Sequence, residues 1–193
     1  IFGSRGLGDV YKRQVLEHYS QLKNGQTLIL SMPFSATGNI HDDYYSIIEH
    51  CRNNKIDILL DCAYLNISGI GDIDINTPCI KSVATSLSKV YATGMNKIGI
   101  KFDREEHQTP VKQLNDWYYL NHFSMNLHLK LFDKFKLSYI YDKYLQRSSE
   151  ACTSFGLDRS STLLFGLSND NIWSEFSREG LCNRVCISKI LQY

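Results

Sequence analysis

Two short stretches carry residues whose types and order could do chemistry. Asp61 closes an apolar run and opens Asp61-Cys62-Ala63-Tyr64. Further on, Lys89 follows a small hydroxyl-bearing turn, Ser86-Leu87-Ser88, and precedes Gly94-Met95-Asn96-Lys97-Ile98-Gly99. A lysine amine can condense with a carbonyl, and a carboxylate can keep a heteroaromatic nitrogen protonated so that its ring withdraws electrons. Both needs meet in a pyridoxal-phosphate site, where hydroxyls and a second cation also hold the phosphate. Each residue has a plainer reading by itself. Lys89 could be a surface lysine after a turn, Asp61 a strand-end carboxylate capping the next turn, and Tyr64 a half-buried aromatic. Their order and spacing together favour the cofactor reading.

These residues need strand ends to hold them, and the pattern supplies such ends. Residues 15–23 read as a short helix stopped by Asn24-Gly25, and 27–31 as a buried parallel strand. A loop over 33–38 follows. Residues 41–53 read as a helix with Tyr44, Ile47, Ile48 and Cys51 on one face, and Asp42 and Asp43 where its dipole favours them. Residues 56–61 form a second strand, 68–78 a polar loop, 79–85 a third strand and 97–102 a fourth. Strand, helix and strand with ligand-type residues at strand ends predict an open α/β sheet. Residues 111–146 contain no Gly or Pro and read as one long helix or two in succession, with Tyr118, Tyr119, Phe123, Leu127 and Leu131 as a packing face. A polar break is expected over 148–158. Strands at 162–167 and 183–190 around a short helix at Asn171–Phe176 then predict a small α+β unit. The expected organisation is a large-domain portion at 15–108, a linking helix at 109–146 and a small domain at 147–193.

Ser4 to Gln14 resemble the in-frame translation of a transposase sequencing adapter, so residues 1–14 are expected to be foreign and Val15 to lie within a longer protein. The glycines there do not make a phosphate-binding loop, because no strand precedes them and no Lys-Ser/Thr follows. Without Arg5, Lys12, Arg13 and Asp9, the 21 basic and 20 acidic side chains become 18 and 19, and the net charge moves from +1 to −1. No basic stripe suggests nucleic acid, and no apolar run suggests a membrane span. Cys51, Cys62, Cys79, Cys152, Cys182 and Cys186 match no zinc spacing and read as free thiols in a reducing cytoplasm. The histidines show no ligand spacing, and no metal is expected.

The order of these elements resembles fold-type I pyridoxal-phosphate enzymes, specifically class I/II aminotransferases, from about Thr27 to the C-terminus. Met32-Pro33-Phe34-Ser35-Ala36-Thr37-Gly38 is similar to the family's Asn-Pro-x-Asn-Pro-Thr-Gly loop. Asp61 and Tyr64 match its Asp-x-x-Tyr element. Ser86, Ser88, Lys89, Lys97 and Gly99 match its Ser-x-Ser-Lys segment, and Asn183-Arg184-Val185-Cys186-Ile187 resembles its carboxylate-clamping strand. The resemblance implies the C-terminal part of a three-layer large domain with a mostly parallel sheet, then a long helix and a small α+β domain. It implies pyridoxal 5'-phosphate bound as a Schiff base on Lys89, which also moves the substrate's α-proton. Asp61 would pair with the ring nitrogen, Tyr64 with the ring's phenolic oxygen, and Ser86, Ser88 and Lys97 with the phosphate, while Arg184 would hold the substrate carboxylate. An amino donor, a 2-oxo acid acceptor, a cytoplasmic homodimer and an inactive isolated fragment are implied likewise. Ser35 departs from the family's Asn and is shorter. Lys97 departs from its Arg and lacks the bidentate fork. Another pyridoxal-phosphate chemistry (decarboxylation, elimination or carbon–carbon bond formation) and a non-catalytic relic of the fold remain as alternatives. Ser86-x-x-Lys89 also fits the acyl-serine motif of penicillin-recognising enzymes, but the Ser-Asp-Asn and Lys-Thr-Gly elements of that group are absent.

Overall fold

A computed structural model describes residues 18–188 apart from Glu179. The adapter-like segment, residues 15–17 of the first expected helix and the end of the last expected strand lie outside the described residues.

The first sheet has the order β1 (Thr27–Ser31), β2 (Asp57–Asp61), β3 (Ile80–Ser86) and β4 (Gly99–Asp103). The first three strands run parallel and β4 returns antiparallel. Helix α1 (Tyr44–Asn53) links β1 to β2 and presents the expected face: Tyr44, Ile47 and Cys51 are buried and Ile48 packs partly against them. Its partners are Leu28 and Leu30 of β1 and Ile58 and Leu60 of β2, all buried. Burying each such side chain stabilises the fold by about 1.5–3 kcal/mol. The opposite face of the sheet is less covered than a buried parallel strand predicts, and Ile29 there is 40 % exposed. Every residue of β4 is exposed, Ile100 and Phe102 included, so this antiparallel strand forms an open edge.

Before β1, the described part of the expected helix is a single 3-10 turn at Tyr19–Gln21, and Gly25 takes the left-handed conformation (φ 84°) at the stop. The region after β4 differs more from expectation. It holds α3 (Pro110–Asp116), α4 (His122–Lys134) and α5 (Tyr139–Ser154) instead of one or two helices. The α3–α4 break contains no Gly or Pro. Tyr118 itself adopts positive φ (56°), and the Asn121 side chain accepts from the Ser124 N–H at 3.0 Å to cap α4. Tyr118, Tyr119 and Phe123 are exposed, so the buried face of α4 consists of Ser124 and His128, with Leu127 and Leu131 half-buried beside it.

The expected polar break at 148–158 is helical up to Ser154. Ser148 is buried and donates to the Leu163 carbonyl at 2.9 Å. Thr153 and Ser154 donate to carbonyls of their own helix, at Ser149 and Ala151. Hydroxyls that bond back in this way are compatible with a helix interior. The stop comes at Gly156, with φ 63°. Ala151 and Cys152 then pack with Leu157 and Ile187 against the second sheet, whose order is β5 (Asp158–Arg159), β6 (Phe165–Ser168), β8 (Cys182–Cys186) and β7 (Ser177–Arg178). This sheet is antiparallel throughout, with a 3-10 helix at Asn171–Phe176 before β7. Among the described residues, no helix is long and apolar enough to cross a membrane.

Candidate functional site

Ser31, Asp61 and Ala84 stand side by side in register near the C-terminal ends of the three parallel strands. The ladder continues one step past two of these strands. Met32 N–H donates to the Asp61 carbonyl at 2.8 Å, and Cys62 N–H to the Ala84 carbonyl at 2.7 Å. The three segments that follow therefore leave the sheet from one edge, which is where open α/β sheets gather their ligands.

After β1 the chain closes a tight loop. Gly38 N–H donates to the Phe34 carbonyl at 2.6 Å and Phe34 N–H to the Asn39 carbonyl at 2.7 Å. This fixes Ser35, whose Oγ is buried without a hydrogen-bond partner. After β2, Asp61 Oδ1 accepts the Ala63 N–H at 3.0 Å, leaving Oδ2 for another partner. After β3, helix α2 (Leu87–Val90) begins at Ser86, whose Oγ accepts the Lys89 N–H at 3.4 Å and keeps its own proton free. Ser88 is committed elsewhere. Its Oγ accepts from Ile98 N–H at 2.8 Å and donates to Ile98 O at 3.1 Å, tying the returning chain to α2.

Ser86, Ser88, Lys89, Gly94 and Lys97 line one cavity of about 760 Å³, with Ile140 and Leu163 on its apolar side. Among the described residues neither lysine has an ion-pair partner. Two unneutralised ammonium groups beside a free hydroxyl make an anion-accepting pocket.

A second cluster adjoins the first through Tyr64. Lys89 Nζ lies 5.3 Å from the centre of the Tyr64 ring, Tyr64 meets Phe165 edge-on at 5.6 Å, and the Arg184 guanidinium covers Phe165 at 4.3 Å. Arg184 Nη1 also donates to the Ser35 carbonyl. Burial, assisted by Arg178, lowers the Arg184 pKa, yet a guanidinium stays charged throughout the working pH range. Ser35, Tyr64 and Arg184 thus meet around Phe165, while Ser86, Ser88, Lys89 and Lys97 meet around the cavity. Asp61 stands at the strand end between the two loops. Phe165 escaped the sequence reading, because an aromatic in an apolar strand carries no signal of its own. Thr93 and His128, which brace the cavity wall, escaped it as well.

Burial pushes the Cys51 thiol up to about 11 and the Cys62 thiol, beside Asp61, up to about 12, so neither is a thiolate nucleophile. Among the described residues, no group of three His, Cys, Asp or Glu side chains is placed to hold a metal.

The fold matches that of aspartate aminotransferase from Thermotoga maritima with a TM-score of 0.58 at 13% identity, over 80% of this chain and 46% of that one. Tyrosine aminotransferase from Leishmania infantum follows at a TM-score of 0.49 and 13% identity, over 78% of this chain and 46% of that one. The chain therefore spans about half the length of these structures, and its mixed α/β sheet corresponds to part of an aminotransferase fold. No family model and no curated protein matches the sequence.

Proposed function

We propose that this chain is the C-terminal half of a fold-type I, pyridoxal-phosphate-dependent aminotransferase that moves an amino group between an amino acid or related amine and a 2-oxo acid. One observation carries the reading. Among the described residues Lys89 has no ion-pair partner; it lies on the short helix capped by Ser86 that follows β3, and shares a cavity with Lys97 and the free Ser86 hydroxyl, in an aminotransferase-like fold. The buried, partnerless Ser35 hydroxyl supports it, since such a group calls for a polar ligand atom.

The residues present fit the cofactor, whose bound form supplies a reactive carbonyl and an electron-withdrawing ring. Lys97 and Ser86 would bind the phosphate, with Ser88 holding the loop that carries Lys97. Asp61 would keep the ring nitrogen protonated through its free Oδ2. Tyr64 and Ser35 would orient the ring's oxygen. Lys89 would hold the carbonyl carbon and then carry the proton removed from the substrate's α-carbon, while Arg184 would anchor the substrate carboxylate. The division at 15–108, 109–146 and 147–193, a cytoplasmic location and a homodimer of the whole protein belong to the same proposal.

The test uses the whole reading frame that encodes this chain. Pyridoxal phosphate is added, borohydride applied and the pyridoxyl adduct located by peptide mass spectrometry. The adduct is expected on Lys89 and is expected to disappear in Lys89→Ala. Folded protein with no adduct on Lys89 refutes the enzyme reading.

A further inference from the structure

The wall of the cavity that carries Lys97 is a strained loop between α2 and β4. Ala92 and Gly94 both adopt left-handed conformations, with φ of 52° and 59°. For alanine that conformation is unfavourable and persists only where surrounding contacts fix it. Thr93 sits between the two, and its side chain supplies such a contact. Thr93 Oγ1 lies 2.8 Å from His128 Nε2, and His128 Nδ1 lies 2.6 Å from the Ser124 carbonyl. A carbonyl only accepts, so Nδ1 donates to it, and Nε2 shares a hydrogen bond with the Thr93 hydroxyl. His128 is 1 % exposed and Ser124 is fully buried, so the pair is anchored inside the packing of α4. Thr93 N–H donates to the Ser88 carbonyl at 3.2 Å, Asn96 N–H donates to the Thr93 carbonyl at 3.2 Å, and the Asn96 carbonyl lies 3.3 Å from Thr93 Oγ1. Thr93 thereby joins α2 through its N–H, and the loop and α4 through its hydroxyl.

Resting on the function proposed above, we infer that Thr93 and His128 are positioning residues for the phosphate end of the site. Neither lines the cavity itself. They hold Ala92, Gly94 and Lys97 on the cavity wall, so that the Lys97 ammonium is preorganised for a phosphate instead of sampling solvent. Severing the Thr93–His128 bond frees the loop and costs the phosphate its partner, while the rest of the pocket keeps its grip on the ring.

The experiment measures affinities of the whole protein for pyridoxal phosphate and for pyridoxal, which lacks the phosphate. The wild type is expected to prefer the phosphate ester. Thr93→Val, nearly isosteric but without the hydroxyl, is expected to reduce that preference about tenfold, the size of one charge-assisted hydrogen bond, with pyridoxal affinity unchanged. Thr93→Ala carries the same expectation should the valine protein fail to fold. Thr93→Ser keeps the hydroxyl and should restore the wild-type preference. In Lys97→Ala the Thr93→Val change should add no further loss, because both act through the same ammonium. Equal losses for the two ligands, an unrescued Thr93→Ser or full additivity with Lys97→Ala overturns the inference. A wild type that does not prefer the phosphate ester overturns the phosphate assignment itself, and that result appears before any variant is made.

Discussion

Replacing Gly38 with alanine tests the loop that carries Ser35 more sharply than any change at Ser35 itself. Gly38 has φ of 73°, and a Cβ built there would lie 2.6 Å from Ser160 Oγ, 2.6 Å from Thr162 Oγ1 and 2.9 Å from Phe165 Cδ2. The left-handed conformation alone costs alanine about 1–2 kcal/mol, and forcing a methyl into a filled space adds about 1–3 kcal/mol. Ser160 and Thr162 have little room to give. Both are buried, their hydroxyls bond each other at 2.9 Å, and Ser161 N–H donates to Asn39 Oδ1 at 2.7 Å. Gly25 provides the control, with φ of 84° and nothing within 4 Å of a built Cβ. Gly25→Ala therefore carries the conformational cost and the shared unfolded-state effect without the clash. Urea unfolding, followed by fluorescence of Trp117 and Trp173, should show a loss of about 2–5 kcal/mol for Gly38→Ala. The Gly25→Ala loss should be smaller by about 1–3 kcal/mol. Equal losses at the two positions would refute the claim that this loop is clamped between Phe165 and the Ser160–Thr162 turn.

Two further outcomes follow from burial and from the open edge. The unfolded Cys51 and Cys62 thiols ionise near ~8.5, whereas the folded ones stay protonated up to about 11 and about 12. Above ~8.5 the unfolded state thus binds fewer protons than the folded state, and stability should fall by up to about 1.4 kcal/mol per thiol per pH unit; urea midpoints that do not change between pH 8 and 10 would contradict this. Phe102 is 59 % exposed on β4, where unpaired backbone groups invite pairing with another chain. Phe102→Glu should therefore slow light-scattering growth of the 193-residue chain, and an unchanged rate would show that aggregation begins elsewhere.

What was legible in the sequence was what local chemistry dictates. β1 begins and ends at the expected residues because Asn24-Gly25 and Pro33 bracket a short apolar run. The α1 face followed from its spacing, and the three strand ends placed Asp61 and Lys89 at one edge. The failures share a different cause. The α3–α4 break depends on a tyrosine accepting positive φ, which composition does not announce, although Asn121 was a readable cap. The continuation of α5 depends on the Thr153 and Ser154 hydroxyls bonding back to the helix, and the same residues in another context would have ended it. His128 looked idle because its partner Thr93 lies far away in the sequence. Arg184 reaches Phe165 only through the pairing of β6 with β8.

The same non-local packing explains how two cations can flank one small site without being quenched. Lys89 and Arg184 need neutral support that leaves their N–H groups available, and a carboxylate placed between them would have taken those donors. The Tyr64–Phe165 pair offers an alternative. Each ring presents its negative π-face to one cation, at 5.3 Å for Lys89 and 4.3 Å for Arg184. The edge-on contact between the rings keeps the two charges apart. Such contacts are worth only about 0.5–2 kcal/mol each, enough to hold a side chain in place and little enough for an anionic ligand to outbid. Asp61, the nearby carboxylate, has one oxygen occupied by Ala63 N–H and forms no ion pair among the described residues. An aromatic pair between two cations thus holds both side chains without a carboxylate partner among the described residues, which is what the proposed function requires of Lys89 and Arg184.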